Sequence, residues 1–481
     1  MAQTTAPTWS QMIAARSGRP DPAVVHPGGG RWSVDELLAR AAGAARWLDR
    51  VGAAPGHPLP ALVPSEATSY ALLVAGALSG RPLAPLSPRS AADELCACIG
   101  RLDAPVILTT VENLAVAELA GARTGRRVAV VPETFPALAR DLPMDQGPDD
   151  IVAVVHTSGT TGVPKAVAQR QGPLALRVAQ SASPIELRPG SVYASASAFH
   201  HQAGVGLVMV AVGAGAALVT FPRFTPAGWR GLADLGVTHA TVVPPFIEDL
   251  LAAGSLGLPT LRFIQYGSAP LHPDTTRRLL AEHPGIRLHQ SLGQTEGSPI
   301  TNLSHEDHVA AVAGRPELLT TVGRAVPRSE LRIEGADTGG IGEITSRAAH
   351  YFAPDPDGWL RTGDLGSVDA DGFVSVVGRR NDAINRGGET VYPVEVERIV
   401  ATHPKVRQVA VAGVPDRRLG TVAHAWVVLT DPGDPPSPDE LRGFARERLA
   451  AYKVPSAWWF VTELPVNPSG KVLRRLLAPP G

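Results

Sequence analysis

The chain has 481 residues, 44% hydrophobic and 19% charged, with a formal net charge of -1. That length exceeds what one hydrophobic core organises and predicts two or more domains of a soluble globular protein. The charge balance excludes the basic footprint of a nucleic-acid or anionic-membrane binder. No apolar run reaches spanning length, and the richest, Val205 to Thr220, is interrupted by glycines. Met1–Thr5 lacks the basic-then-apolar pattern of a signal peptide. Cys96 and Cys98 are the two cysteines. Their spacing in a helical context sends the side chains to different faces with no histidine near, which argues against a metal site and for a reducing cytoplasm. Lysine occurs only at 165, 405, 453 and 471, among 44 basic residues. Where arginine serves generally, a lysine more often marks a need for a compact ammonium.

Residues 1 to about 150 alternate strands and helices. Ala23–Val25 is a short strand. Ser33 and Glu36 form a capping box opening a helix through Leu37, Leu38, Ala41, Ala45 and Leu48. Strands are predicted at Leu59–Val63, Val106–Thr109 and Val128–Val131, with alanine-rich helices such as Tyr70–Leu78 between them. Such alternation predicts a mainly parallel sheet with helical crossovers. Ile151–Val155 reads as a further buried strand. The pattern continues with strands at Ala217–Phe221, Ala240–Val243, Arg262–Tyr266 and Arg287–Ser291. From about 330 to 378 short strands predict a small β-rich subdomain. Gly378–Asp382 reads as a boundary, giving domains 1–379 and 380–481. Beyond it come a helix at Val394–Ala401, strands at Val406–Val414 and Val422–Leu429, and a helix capped by Ser437 with Pro438 in its first position. The fold class is α/β, with a smaller α+β C-terminal domain.

Several segments suit nucleotide chemistry. Thr157–Lys165 (Thr-Ser-Gly-Thr-Thr-Gly-Val-Pro-Lys) follows the Ile151–Val155 strand and offers backbone N–H groups, hydroxyls and one ammonium to phosphate oxygens, without the spacing of a Walker A loop. Gly293-Gln294-Thr295-Glu296 follows another strand end, where open α/β sheets bind ligands. Its hydroxyl and carboxylate suit a phosphate and Mg²⁺, or equally a helix cap with a first-turn acid. Asp364, in Trp359–Asp364, is placed on a turn and reads either as an Asx-turn or as an acceptor of two ribose hydroxyls. Arg379 is a cationic donor at the boundary. Gly387-Gly388 lets another molecule approach the backbone. Lys471 stands in a terminal loop, Asn467–Lys471.

In this order, with Phe199–Gly204, Gly267–Leu271, Gly342–Ile344 and Tyr452–Pro455, these segments resemble the adenylate-forming superfamily of acyl-CoA synthetases, adenylation domains and luciferases, over residue 8 to the C-terminus. The resemblance implies a two-step reaction. A carboxylate attacks the α-phosphate of Mg·ATP, giving an acyl-adenylate and pyrophosphate; the thiol of CoA then displaces AMP. It also admits a runner-up, in which the acyl group is loaded onto a carrier protein or the reaction stops at the adenylate.

The resemblance implies residue roles as well. Thr157, Ser158, Gly159, Thr160, Thr161, Gly162 and Lys165 hold the β- and γ-phosphates. Thr295 meets the α-phosphate and Glu296 the Mg²⁺. Ser268, Ala269, Pro270, Ser291, Leu292 and Gly293 line the adenine. Asp364 and Arg379 take the ribose, with Val376 beside the nucleotide. Lys471 bridges the carboxylate and the α-phosphate. His201, preferred over His200 by its spacing to Gly204, guards an acid pocket walled by Gly204, Val205, Tyr266, Gly267, Ser298 and Pro299. None of these is charged, so the acid is expected to have an apolar or aromatic body. Gly387 and Gly388 enter a CoA tunnel after a rotation hinged at Asn381, where the family usually has Asp or Lys. Leu292 replaces a usual aromatic. The acid's identity and the oligomeric state, a homodimer included, stay open.

Overall fold

The computed structural model describes residues 7–27, 29–139, 142–157, 164–219, 225–269, 271–387, 389–466 and 472–479. Its contacts divide the chain into two compact units. One comprises Met1–Glu330 with Arg347–Leu360; the other comprises Leu331–Ser346 with Arg361–Gly481. Strands flanking the expected 379/380 boundary thus group with the C-terminal segment. That boundary, as a place where the chain turns, is a proposal.

The first unit is built on two sheets. The order of the nine-stranded sheet is Arg324–Ala325, Thr301–Leu303, Arg287–Leu292, Phe263–Gly267, His239–Thr241, Val192–Ser195, Ala217–Val219, Pro22–Val25, Arg31–Ser33. Its centre is parallel, and only the edges run antiparallel. The six-stranded sheet runs Arg127–Val130, Val106–Thr109, Leu59–Leu62, Leu83–Pro85, Ile151–Thr157, Lys165–Arg170. Several parallel strands, such as Ala217–Val219, Leu59–Leu62 and Val106–Thr109, are short buried apolar runs, as burial on both faces requires. One core joins inner-face residues of both sheets, such as Tyr193, Phe263, Ala61 and Val155, to the helices Val34–Arg50, Ala67–Leu78, Gln171–Ala182 and Leu207–Ala214. A second covers the outer face of the larger sheet around Trp229, Ile264 and Leu288. A third covers the smaller sheet around Leu62, Ile107 and Leu95. Helices therefore lie between the sheets and outside both, the layering that alternating strands and helices produce.

Local signals set several elements as expected. Ser33 and Glu36 close their capping box on helix Val34–Arg50, and Ser437 and Glu440 do the same on Pro438–Arg446. Cys96 is half-buried and Cys98 buried on helix Ala92–Gly100, both as free thiols. Among the described residues there is no metal-ligating cluster and no helix long and apolar enough to cross a membrane.

The second unit holds a four-stranded sheet of Glu330–Glu334, Gly342–Arg347, Leu360–Val368 and Val374–Arg379. It also holds a five-stranded sheet centred on the long pair Val406–Asp416 and Gly420–Leu429. Helices Pro393–Val400 and Pro438–Arg446 bury Val396, Val400, Leu441 and Ala445 against that sheet's Val411, Ala425 and Val427. Leu449 and Tyr452, past the end of the second helix, are partly buried against this core.

Candidate active site

In the first unit the phosphate-loop segment connects an antiparallel hairpin. Ile151–Thr157 pairs with Lys165–Arg170, and Thr157 stands opposite Lys165. The sequence alone predicts no strand after the loop. Thr157 is half-buried and Lys165 exposed, both at the open end of this pair. Ser158, Gly159, Thr160, Thr161 and Gly162 lie outside the described residues. Beside the pair, burial pushes the His156 imidazole down to about 4, so it is neutral near pH 7.

Ser291 and Leu292 end strand Arg287–Leu292, and the chain then turns without forming a helix. That removes the helix-cap alternative for Thr295 and Glu296. Gln294 N–H donates to the Gly297 carbonyl at 2.8 Å, while the Glu296 carbonyl accepts from Phe352 and Ala353 at 2.8 and 3.0 Å. The backbone of the turn is thereby pinned, and both side chains remain half-exposed. A Cβ at Gly297 would come within 2.6 Å of Leu360 and 2.7 Å of Tyr351, so only glycine allows this close approach. Ser268 and Ala269, exposed, follow strand Phe263–Gly267. Ser268 adopts φ +67°, a left-handed conformation costly for a residue with a Cβ and concentrated at functional sites. Pro270 lies outside the described residues.

His201 caps the π-helical turn Gln202–Gly206, an irregularity common at functional positions. A Cβ at Gly204 would overlap the Ala198 carbonyl, so glycine lets this turn fold against the preceding loop. Val205 is fully buried. The His200 and His201 rings lie 4.3 Å apart. Burial holds them down to about 3 and about 4, and the proximity of His201 lowers His200 further. Both are neutral donors or acceptors near pH 7. Tyr266 is 2% exposed in the outer-face core, with its hydroxyl 2.7 Å from His308 Nε2. Val205 belongs to the inner core. Pro299 is buried and its carbonyl lies 2.9 Å from His350 Nε2; Ser298 is half-buried. Gly267 is also half-buried, and a Cβ there would meet the Ser291 carbonyl at 2.6 Å. The same holds at Gly293 with the Ser298 hydroxyl at 2.5 Å.

One charged group was missed. Arg177, in the middle of helix Gln171–Ala182, is 1% exposed and borders the Gln202–Gly206 turn. The signal was present: Leu174, Arg177, Val178 and Ser181 share one helical stripe, and an arginine there must be buried. The pocket residues expected from the sequence carry no charge themselves; Arg177 adds one beside the turn.

In the second unit Asp364 lies within strand Leu360–Val368 and not on a turn, directly opposite Arg379. Arg379 Nε is 2.8 Å from Asp364 Oδ1; the Asp364 side chain is buried and the arginine is more open. The Thr362 hydroxyl accepts from the Asp364 N–H at 3.0 Å. Glu343, of the Gly342–Ile344 segment, is buried, accepts from the Gly363 N–H at 3.0 Å and pairs with Arg380. Val376 is half-buried opposite Gly366. Asn381 is exposed in the short turn Arg380–Asp382. Gly387, at φ +62°, turns the hairpin of Ile384–Arg386 and Glu389–Val391; Gly388 lies outside the described residues. So does Lys471; the flanking Val466 and Val472 form a bridge. Lys453 forms an ion pair with Glu395, with contacts of 2.6 and 2.8 Å.

Known proteins resemble this chain along most of its length. The family model described as AMP-binding enzyme matches residues 12–353, and that of the AMP-binding enzyme C-terminal domain matches 395–471. A fatty acid–[acyl-carrier-protein] ligase of Streptomyces coeruleorubidus is 32% identical, over 89% of this chain and 88% of its own. A feruloyl-CoA synthase of an Amycolatopsis species is 32% identical, over 95% of each chain. The o-succinylbenzoate CoA synthetase of Bacillus subtilis, solved with an acyl-adenylate intermediate, superposes with a TM-score of 0.81 at 26% identity, covering 99% of this chain and 98% of that one.

Proposed function

The chain belongs to the AMP-binding enzyme family, and we propose that it activates a carboxylic acid with ATP and passes the acyl group to the thiol of CoA. The observation that carries this reading is its similarity to a CoA synthase along 95% of both chains. In the first step a carboxylate oxygen bonds to the α-phosphorus, and the bond to the β-phosphate oxygen breaks. Pyrophosphate leaves and the acyl-adenylate remains. In the second step the thiol sulfur bonds to the acyl carbon, and AMP departs with the shared oxygen.

The residue assignments are part of the proposal. Thr157 and Lys165, with Ser158–Gly162, hold the departing pyrophosphate. Ser268, Ala269, Pro270, Ser291, Leu292 and Gly293 flank the adenine; the φ +67° of Ser268 supports a built contact there. Thr295 donates to the α-phosphate. The Glu296 carboxylate fits Mg²⁺, because its own backbone carbonyl is occupied and its side chain is half-exposed past a strand end. A single carboxylate with substrate phosphates is how Mg²⁺ is commonly held. When bound, the ion neutralises phosphate charge. Asp364, fixed by its strand and by Arg379, accepts ribose hydroxyls, with Val376 alongside. Lys471 stabilises the charge that develops at phosphorus. Neutral His201, with Gly204, Val205, Gly267, Ser298 and Pro299, borders an acid with an apolar or aromatic body, and Tyr266 supports this wall from the outer face. Gly387 and Gly388 border CoA, and Asn381 is the hinge at 379/380. The free cysteines fit the cytoplasm.

A second reading, transfer to a carrier protein, is favoured by the Streptomyces relative. Pyrophosphate release over a panel of acids, with and without CoA, tests both. Acid-dependent release, with CoA accelerating AMP formation, is expected. Absence of release with every acid refutes activation; release that CoA leaves unchanged transfers the second step to a carrier.

A further inference from the structure

Arg177 carries a buried positive charge that no described residue neutralises. Its side chain is 1% exposed in the inner core. Among the described residues no carboxylate pairs with it, and its Nε has no hydrogen-bond partner. What it meets is weaker. The Gln202 amide, oriented with its oxygen toward the guanidinium, accepts from both Nη atoms, one of them at 3.3 Å. The Phe352 ring centroid lies 5.8 Å from Cζ. Burial lowers the guanidinium to about 10, partly offset by Tyr193, so it stays charged at neutral pH. A buried cation that meets, among the described residues, an amide oxygen and a ring face but no carboxylate is left costly, and a charged acceptor relieves that cost.

The surroundings say where such an acceptor would sit. A Cβ at Gly206 would come within 2.9 Å of Arg177 Nη1, so glycine at that position makes room for the guanidinium. Gly206 ends the same π-helical turn that carries Gly204 and Val205. Phe352, under the cation, donates its N–H to the Glu296 carbonyl. His350, which feels the Arg177 charge, lies on the Pro299 carbonyl. The group therefore stands among the segments assigned to the acid.

We propose that Arg177 determines substrate choice: it receives a second carboxylate at the far end of the acid, so that the enzyme activates one end of a dicarboxylic acid with an apolar middle. This rests on the acid-activation reading above and narrows its substrate class. A planar guanidinium with an unused Nε matches a carboxylate bidentately, a fit that a hydroxyl or a methyl end does not make.

The test uses three acids of each chain length from succinate to sebacate: the diacid, the ω-hydroxy acid and the monoacid. Pyrophosphate release gives kcat/KM for the wild-type chain, Arg177→Met and Gln202→Glu. The wild type is expected to prefer diacid over monoacid by about 10- to 100-fold at its best length, the size of charged hydrogen bonds. In Arg177→Met that ratio should fall to about one. Gln202→Glu supplies an internal carboxylate of nearly the same shape and should also abolish the preference, so the question is answered even where Arg177→Met fails to fold. A wild-type preference for the monoacid or hydroxy acid overturns the proposal, as does a diacid ratio unchanged in both variants. Calorimetry with the diacids and no nucleotide separates the two readings. Arg177-dependent binding without pyrophosphate release keeps this site and refutes activation. Release that treats all three acids alike refutes this site alone.

Discussion

Arg474 ties the segment that carries Lys471 to the core of the second unit, and its removal gives a calculable effect. Its Nη2 lies 2.8 and 2.7 Å from the two Glu397 oxygens, its Nε donates to the Val411 carbonyl at 3.1 Å, and Nη1 is 3.3 Å from Asp382. Both partners of the main pair are largely buried, with side chains 20% and 16% exposed. Arg474→Met leaves the Glu397 carboxylate with the Val411 N–H, at 2.7 Å, as its remaining hydrogen-bond donor. Breaking a buried pair costs about 3–5 kcal/mol, and this partial exposure argues for about 3. The amides of Val406–Asp416 and Gly420–Leu429 should then exchange about 10²-fold faster, read by hydrogen-exchange mass spectrometry after correction for intrinsic rates. The loss has a defined pH dependence. Burial already holds the Glu397 carboxyl above its ordinary 4.5, against the lowering by Arg474. Without the guanidinium it rises further. A carboxyl raised in the folded state favours folding below its unfolded pKa and loses that contribution as pH climbs through the folded value. The variant's deficit should therefore be smaller near about pH 4.5 than near about pH 8. In a double-mutant cycle Glu397→Gln should recover most of it. An exchange increase below about threefold, or one equal at the two pH values, would refute the reasoning.

Lys471→Ala should slow adenylation by about 10²–10³-fold, the usual effect of removing one preorganised charge donor, while thioester formation from supplied acyl-AMP stays largely intact; equal loss in both half-reactions removes the step-specific role. Because burial holds His200 and His201 down to about 3 and about 4, acid KM should show no histidine ionisation between about pH 6 and about pH 8. A step near pH 6.5 that disappears in His201→Gln contradicts that electrostatic picture.

The sequence by itself determined what depends on near neighbours. The capping pairs Ser33/Glu36 and Ser437/Glu440 start their helices because cap and first turn are only three residues apart. Short apolar runs such as Val106–Thr109 became parallel strands because they bury both faces. The order of the nucleotide segments sufficed for the family. Contacts between distant residues decided the rest. Lys165–Arg170 became a strand because Ile151–Thr157 offered it an edge, although its own residues are mostly small or polar. Gly363-Asp364 reads locally as a turn, yet Asp364 was drawn into a strand opposite Arg379, with the Gly363 N–H held by Glu343, twenty residues earlier in the chain. Thr295 and Glu296 started no helix because Phe352 and Ala353 took up the Glu296 carbonyl. Most informative is Arg177. Its helical stripe carried a signal of burial that went unread, and only the packed structure shows that no carboxylate among the described residues meets it and that Gly206 leaves it space. Periodicity tells which face a side chain takes; the chemistry waiting there is set by residues far away in the chain.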